Sequence, residues 1–383
     1  MYSEKPTYSL LQLVQYFLRL GTTGFGGPAA LVGYMHRDLV EQKQWITDED
    51  YKEGLALAQL APGPLAAQLA IYLGYVHYRI LGATLVGIAF VIPSFLMVLA
   101  LGWAYVRYGG LPWIQGVFYG VGAAVIGIIA VSVSKLTQKS VGKDRLLQAI
   151  LLVSAVVTVL TESENIFLFL GAGLLVWLVK VPPKFLRKSV TSVAPFEVIF
   201  LQNLFSISTE SNLWKIALFF AKAGAFVFGS GLAIVPFLYG GVVKEYGWLN
   251  EHQFLDAVAV AMITPGPVVI TVGFIGYLVE GVTGASVAAL ATFLPCYLLT
   301  VLPAPYFKKY GKLPAIKAFV EGITAAAVGA IAGAVVVLGL RSLVDVPTVL
   351  IALLAGLALW RFKKLQEPYL IVAAALIGLV LKW

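Results

Sequence analysis

Three kinds of residue recur in matched pairs along this chain, and each could act on an anion. The tripeptide Pro62–Gly63–Pro64 closes the stretch "LALAQLAPGP", and Pro265–Gly266–Pro267 closes "AVAMITPGP". Proline in a helix interior lacks a donor and costs about 3 kcal/mol, so each motif breaks a helix. A break creates a new helix N-terminus, with unbonded amides and about half a positive charge, which attracts anions. Arg19, in "FLRLG", and Lys222, in "FAKAG", form the second pair. A cation at the centre of a membrane span costs about 2.5–3.5 kcal/mol on insertion scales, and the use that repays it is an anion. Snorkelling to the nearer interface is the other reading. The third pair is acidic: Glu53 and Asp256 each precede their proline motif by nine residues. A buried carboxyl there could carry a coupling proton; a hydrated acid near a helix start would merely suit the dipole.

The elements that hold these residues are membrane helices. Of 383 residues, 60% are hydrophobic and 12% charged, against about 25% charged in soluble domains. Apolar stretches recur at 80–105, 112–134, 146–160, 166–179, 282–306, 315–340, 346–360 and 368–381, near the span length of about 20 residues. The net charge of +8 therefore belongs to loops, with no nucleic-acid surface implied. The first residues, "MYSEKPTYS", lack a signal peptide's basic region and cleavage site. The single cysteine, Cys296, excludes an intramolecular disulfide and reads as a small buried side chain. His36, His77 and His252 share no repeat position and no ligand spacing, so no metal and no cofactor is expected. Trp45 and Trp248 read as interface anchors.

The chain aligns with itself. At an offset of 203, Phe17, Gly21, Phe25, Gly26, Trp45 and Pro62 fall on Phe220, Gly224, Phe228, Gly229, Trp248 and Pro265. After a one-residue slip, Pro93 matches Pro295 and "LPWIQGVFYGVGAAVIGIIA" matches "LPAIKAFVEGITAAAVGAIA". The expected layout is a first repeat over 1–180, a basic and polar linker over 181–212, and a second repeat over 213–383. Glycine-rich runs at 20–35 and 223–238 place Phe25, Gly26, Gly27 and Pro28 opposite Phe228, Gly229, Ser230 and Gly231. They suit an open backbone at a site, or close helix–helix contact.

Loop charge gives the relative orientation. Residues 135–145 carry four cations and one Asp, whereas 341–345 carry one of each. Glu162 and Glu164 stand opposite a loop with Arg361, Lys363 and Lys364; Arg107 alone stands opposite Lys308, Lys309 and Lys312. Each basic loop of one half matches a poorly basic loop of the other. Because Lys and Arg favour cytoplasmic loops, the halves are inverted, with 135–145, 180–188, 308–312 and 361–367 inside and the C-terminus outside. The expected fold is an all-α polytopic membrane protein of two inverted-topology homologous repeats, with broken or re-entrant helices at the Gly/Pro motifs. We count the apolar pairs 10–34/55–78 and 213–240/256–279 as crossings, with 195–208 crossing too, for about thirteen segments; a re-entrant hairpin is the alternative. Inverted repeats with broken helices are the architecture of secondary transporters, with substrate at the repeat interface.

Residues 25–64, "FGGPAALVGYMHRDLVEQKQWITDEDYKEGLALAQLAPGP", resemble the signature of the chromate ion transporter (CHR) family. The matching features are F-G-G-P, the charged stretch ending in Trp45, and the close with Gln59 three residues before Pro62. The two-copy layout is similar to the family's long-chain members. The resemblance implies chromate export across the cytoplasmic membrane, with sulfate as competing analogue, and it adds Gln59 to the site. Met262 stands where Gln59 does in the first copy, so the halves are expected to be asymmetric.

An interior-negative potential contributes about 2.3 kcal/mol per charge per 100 mV, which drives an anion outward. Uptake or exchange of sulfate or another oxyanion is the rival reading, and an anion channel a weaker one. An enzyme would need a nucleophile–base pair, and the chain has no H-E-x-x-H, G-x-S-x-G or P-loop. Beyond the oxyanion and the bilayer, a homodimer stays open.

Overall fold

The computed structural model describes residues 7–25, 27–109, 111–162, 166–182, 211–226, 228–229, 234–310, 313–362 and 365–382. The expected crossing at 195–208, Gly26 and Ser230 lie outside them. The first repeat runs α1 (Leu10–Thr23), α2 (Gly27–Met35), α3 (Asp48–Leu60), the extended pair β1 (Gly63–Pro64), α4 (Leu65–Tyr108), α5 (Pro112–Ser140), α6 (Arg145–Thr161) and α7 (Ile166–Lys180). The second runs α8 (Asn212–Phe226), β2 (Phe228–Gly229), α9 (Ile234–Tyr239), α10 (Glu251–Ile263), α11 (Thr271–Val301), α12 (Ala304–Tyr310), α13 (Pro314–Ser342), α14 (Val346–Arg361) and α15 (Glu367–Lys382). Helix starts follow local chemistry. Ser9 and Gln12 form a capping box, as do Asn250 and Gln253, while Thr47 caps α3 and Asp144 caps α6.

The first apolar segments of each half do not cross. Tyr8, at the foot of α1, hydrogen-bonds the His77 ring at 2.7 Å and stacks on Trp45 at 4.9 Å. Residues 8, 45 and 77 therefore share one end of the molecule, the first face. The chain dips inward as α1, returns as α2, dips again as α3 and returns as the first arm of α4. The second half mirrors this at the opposite, second face. Asn212 Nδ2 donates to Glu280 at 2.9 Å, and Trp248 stacks on Phe220. These are two re-entrant hairpins per repeat, which replaces the expected count of crossings there. The physical reason is length: α1 and α3, at 14 and 13 residues, reach only about 20 Å, short of a span.

At Arg79 (φ 54°, ψ −141°) α4 folds back on itself, and α11 does so at Gly281 (φ 59°, ψ −146°). The fold-back brings Gly74 against the Gly82 carbonyl and Gly276 against that of Gly284, residues that a continuous helix would hold about 12 Å apart. The second arms of α4 and α11, with α5 and α13, belong to the helices long and apolar enough to cross. Crossing partners are exchanged between repeats. Helix α13 packs on α6 and α7, while α5 packs on α14 and α15. Ion pairs sort the loops as the inverted charges require. Lys180 binds Asp144 and Glu321 at 2.7 and 2.8 Å at the first face; Glu162 binds Lys244 and Arg341 at the second.

Candidate functional site

Both proline motifs break their helices deep inside the protein. Ahead of Pro62, Ala61 is extended (ψ 143°), as a residue before proline must be. Gly63 then takes φ 141° and Gly266 takes φ 90°, values open to glycine but strained for a side chain. Pro64 caps the start of α4, and Pro267 precedes the tight turn Val268–Ile270 that leads into α11. The first amides after each break have no intrahelical acceptor, and the dipole adds positive potential.

Each break is completed by the other repeat. Gly63–Pro64 pairs in parallel with Phe228–Gly229, in register Gly63 to Phe228. Reciprocally, the Gly266 amide donates to the Gly24 carbonyl at 3.0 Å, just before Phe25. The proline motif of one half thus meets the glycine motif of the other at the centre, twice over. Buried carbonyls at the breaks are satisfied by side chains: Gln68 Nε2 donates to Pro62 O and Ser94 Oγ to Pro265 O, both at 2.7 Å.

The acids occupy unequal settings. Tyr72 donates to Glu53 at 2.8 Å within the first repeat. Asp256, only 8% exposed, accepts from Tyr105 of the other repeat at 2.7 Å. Both tyrosines come from the first repeat: the second has Phe274 where Tyr72 stands and Phe307 where Tyr105 does. A cavity of about 850 Å³ is lined by Gln115, Tyr119, His252, Gln253, Asp256 and Lys382 among others. It lies by 109–112 and 342–344, at the second face.

The remaining candidates disperse. Arg19 is exposed on α1 and Gln59 on α3, and Lys222 is half-buried on α8. Phe25 and Pro28 are half-buried. Gly27 (φ 72°) opens toward the Glu367 carboxylate, 3.7 Å from where a Cβ would sit. Sequence reasoning missed Gln68, Ser94, Tyr72 and Tyr105. Gln68 alone had a legible signal, as the one amide in the apolar run "LAAQLAIYLGY", because polar groups inside membranes mark function.

The family model described as "Chromate transporter" matches twice, over residues 11–177 and 214–379. A "Chromate transport protein" of Cupriavidus metallidurans is 73% identical, covering 98% of this chain and 94% of that one. A "Probable chromate transport protein" of Synechococcus elongatus is 66% identical, covering 98% and 96%. A "Chromate transport protein" of Pseudomonas aeruginosa is 30% identical over 97% of this chain and 92% of its own. No solved structure matches the chain. Two matched repeats, inverted and joined through their broken helices, make this chain a multi-pass membrane protein of the chromate transporter family.

Proposed function

We propose that the protein exports chromate across the cytoplasmic membrane and so confers chromate resistance. The anion sits between the two proline breaks. The observation that carries this reading is the reciprocal pairing of each break with the other repeat's glycine motif. It sets two helix N-termini, one from each inverted half, around a single buried centre, so that modest movement of either half exposes the same seat to one face. The membrane potential adds about 2.3 kcal/mol of outward drive per charge per 100 mV. Lys222 supplies positive charge from α8, and Asp256, in the lining of the cavity, is the better placed of the two acids to exchange a coupling proton. The loop charges put that cavity and the C-terminus outside.

Counterflow of labelled chromate in proteoliposomes, with sulfate as competitor, tests the reading. Gly63→Ala and Gly266→Ala each force a side chain into a positive-φ position, a strain of about 1–3 kcal/mol. Transport should fall at least about tenfold in each while the protein still reaches the membrane. Undiminished counterflow in the double variant would show that the breaks are turns and nothing more.

A further inference from the structure

We infer that Gln68 reads a proton on the substrate, so that the species carried is the monoprotonated tetrahedral oxyanion, hydrogen chromate, rather than the bare dianion; this rests on the breaks being the anion's seat. Gln68 is fully buried, within a run of α4 that is buried from Leu65 to Val76. Its Nε2 donates to the Pro62 carbonyl at 2.7 Å. That carbonyl can only accept, which decides which end of the amide is nitrogen. The other end, Oε1, is buried without a hydrogen-bond partner among the described residues. An orphaned acceptor costs about 1–3 kcal/mol, and native structures keep such groups only for a reason.

The position of the orphan supplies the reason. A Cβ added to Gly63 would lie 2.7 Å from both Cδ and Nε2 of Gln68, so the amide lies directly over the extended residue of the break. Helix-start amides there favour negative oxygens. The nearer end of the amide is Nε2, already bound to Pro62 O, and the orphaned Oε1 lies on the same group beside it; an unpaired acceptor there repels a bare oxyanion and welcomes an O–H. A tetrahedral anion that keeps one hydroxyl satisfies both demands at once. Chromate holds such a proton close to neutral pH, whereas sulfate, the base of a far stronger acid, does not. The two anions are otherwise alike in shape and charge, so the proton is what a buried acceptor can tell apart. Sites built to pair a hydroxyl reject analogues that lack it by orders of magnitude.

Among the described residues the device is present once. Six positions past Pro265, where Gln68 stands past Pro62, the second repeat has Thr271, whose hydroxyl donates back to Val268 O at 2.8 Å. Pro265 O is served by Ser94 instead.

The test uses the full chain in proteoliposomes, with chromate KM and sulfate inhibition measured from about pH 6 to about pH 9. Wild-type KM for total chromate should rise about tenfold per pH unit above the substrate's own pKa, following loss of the protonated species. Any pH dependence of sulfate inhibition reports protein groups and divides out. Gln68→Met keeps the volume and removes the acceptor; Gln68→Thr copies the second repeat and guards against a variant that fails to fold. Both should raise KM at the acid end about tenfold or more, flatten the profile and shrink the preference for chromate over sulfate by the same factor. A wild-type KM that stays level across the range overturns the inference, as does an unchanged slope and preference in either variant. Absence of chromate counterflow at every pH would instead sink the transport reading beneath it.

Discussion

Tyr105, on the crossing arm of α4, donates to Asp256 on re-entrant α10 at 2.7 Å, tying the acid of one repeat to a scaffold helix of the other. The equivalent acid, Glu53, takes its tyrosine from within its own repeat. Tyr105→Phe should therefore loosen α10 and cut transport several-fold, since a hydrogen bond to a charged group contributes about 1.5–3 kcal/mol. Tyr72→Phe should leave the Asp256 side untouched. Exchange of Asp256 for Asn, assayed with and without an imposed pH gradient, then separates coupling from packing: equal gradient dependence in Asp256→Asn and wild type would remove Asp256 from any proton path.

Re-entrant hairpins predict which termini share a side. Cysteines at Ser9, Lys43 and Ser140 should label from one face, and those at Ser211 and Val344 from the other. Cys296 is fully buried, so the native thiol adds little background. Labelling of position 43 from the face opposite to 9 and 140 would mean that residues 10–34 cross after all.

Arg79 holds the conformation that Gly281 holds in the second repeat. Glycine is at ease there and arginine is not, so Arg79→Gly should stabilise the hairpin turn by about 1 kcal/mol. Thermal unfolding of purified protein in detergent would show it as a raised midpoint. A lowered one would mean that the Arg79 contact with the Tyr75 ring outweighs the strain.

At the second face, Glu162 joins Lys244 and Arg341, and Arg341 also reaches Glu251 and Tyr239. The hydrogen bond from Lys244, and then Arg341, hold the Glu162 carboxyl below the usual carboxylate range, against partial burial. A lowered folded-state pKa stabilises above the unfolded value, and that stability is lost as pH falls through the folded one. Acid should therefore release the tie between α6, α13 and the turn after α9. Each exposed pair contributes only about 0.2–1 kcal/mol, so the midpoint shift in acid is small, and Arg341→Gln should flatten it. An unaltered acid limb in that variant would place the sensitivity elsewhere.

The repeats, their inversion and both breaks were legible because they rest on strong local rules: proline's missing amide, glycine's freedom and the sidedness of lysine and arginine. The hairpins were not, because an apolar stretch of residues 10–34 reads alike whether it crosses or turns back. Only long-range contacts such as Tyr8 with His77 decide between them. Arg19 read as a mid-span cation or a snorkelling one, and the structure leaves it exposed on α1. Ser94 and Tyr105 escaped notice for a different reason: each serves a residue more than 150 positions away, and no spacing rule reaches that far.

The reciprocal pairing of Gly63–Pro64 with Phe228–Gly229, and of Gly24 with Gly266, also sets the order in which the protein can mature. When the ribosome has finished residue 182, the first half is threaded into the bilayer, but its extended strand and the Gly24 carbonyl still await a partner. The strand's partner, Phe228–Gly229, begins 46 residues later and the Gly24 carbonyl's partner, Gly266, 84 residues later, both in the half inserted the opposite way up. Only with the second half in place can both pairings close.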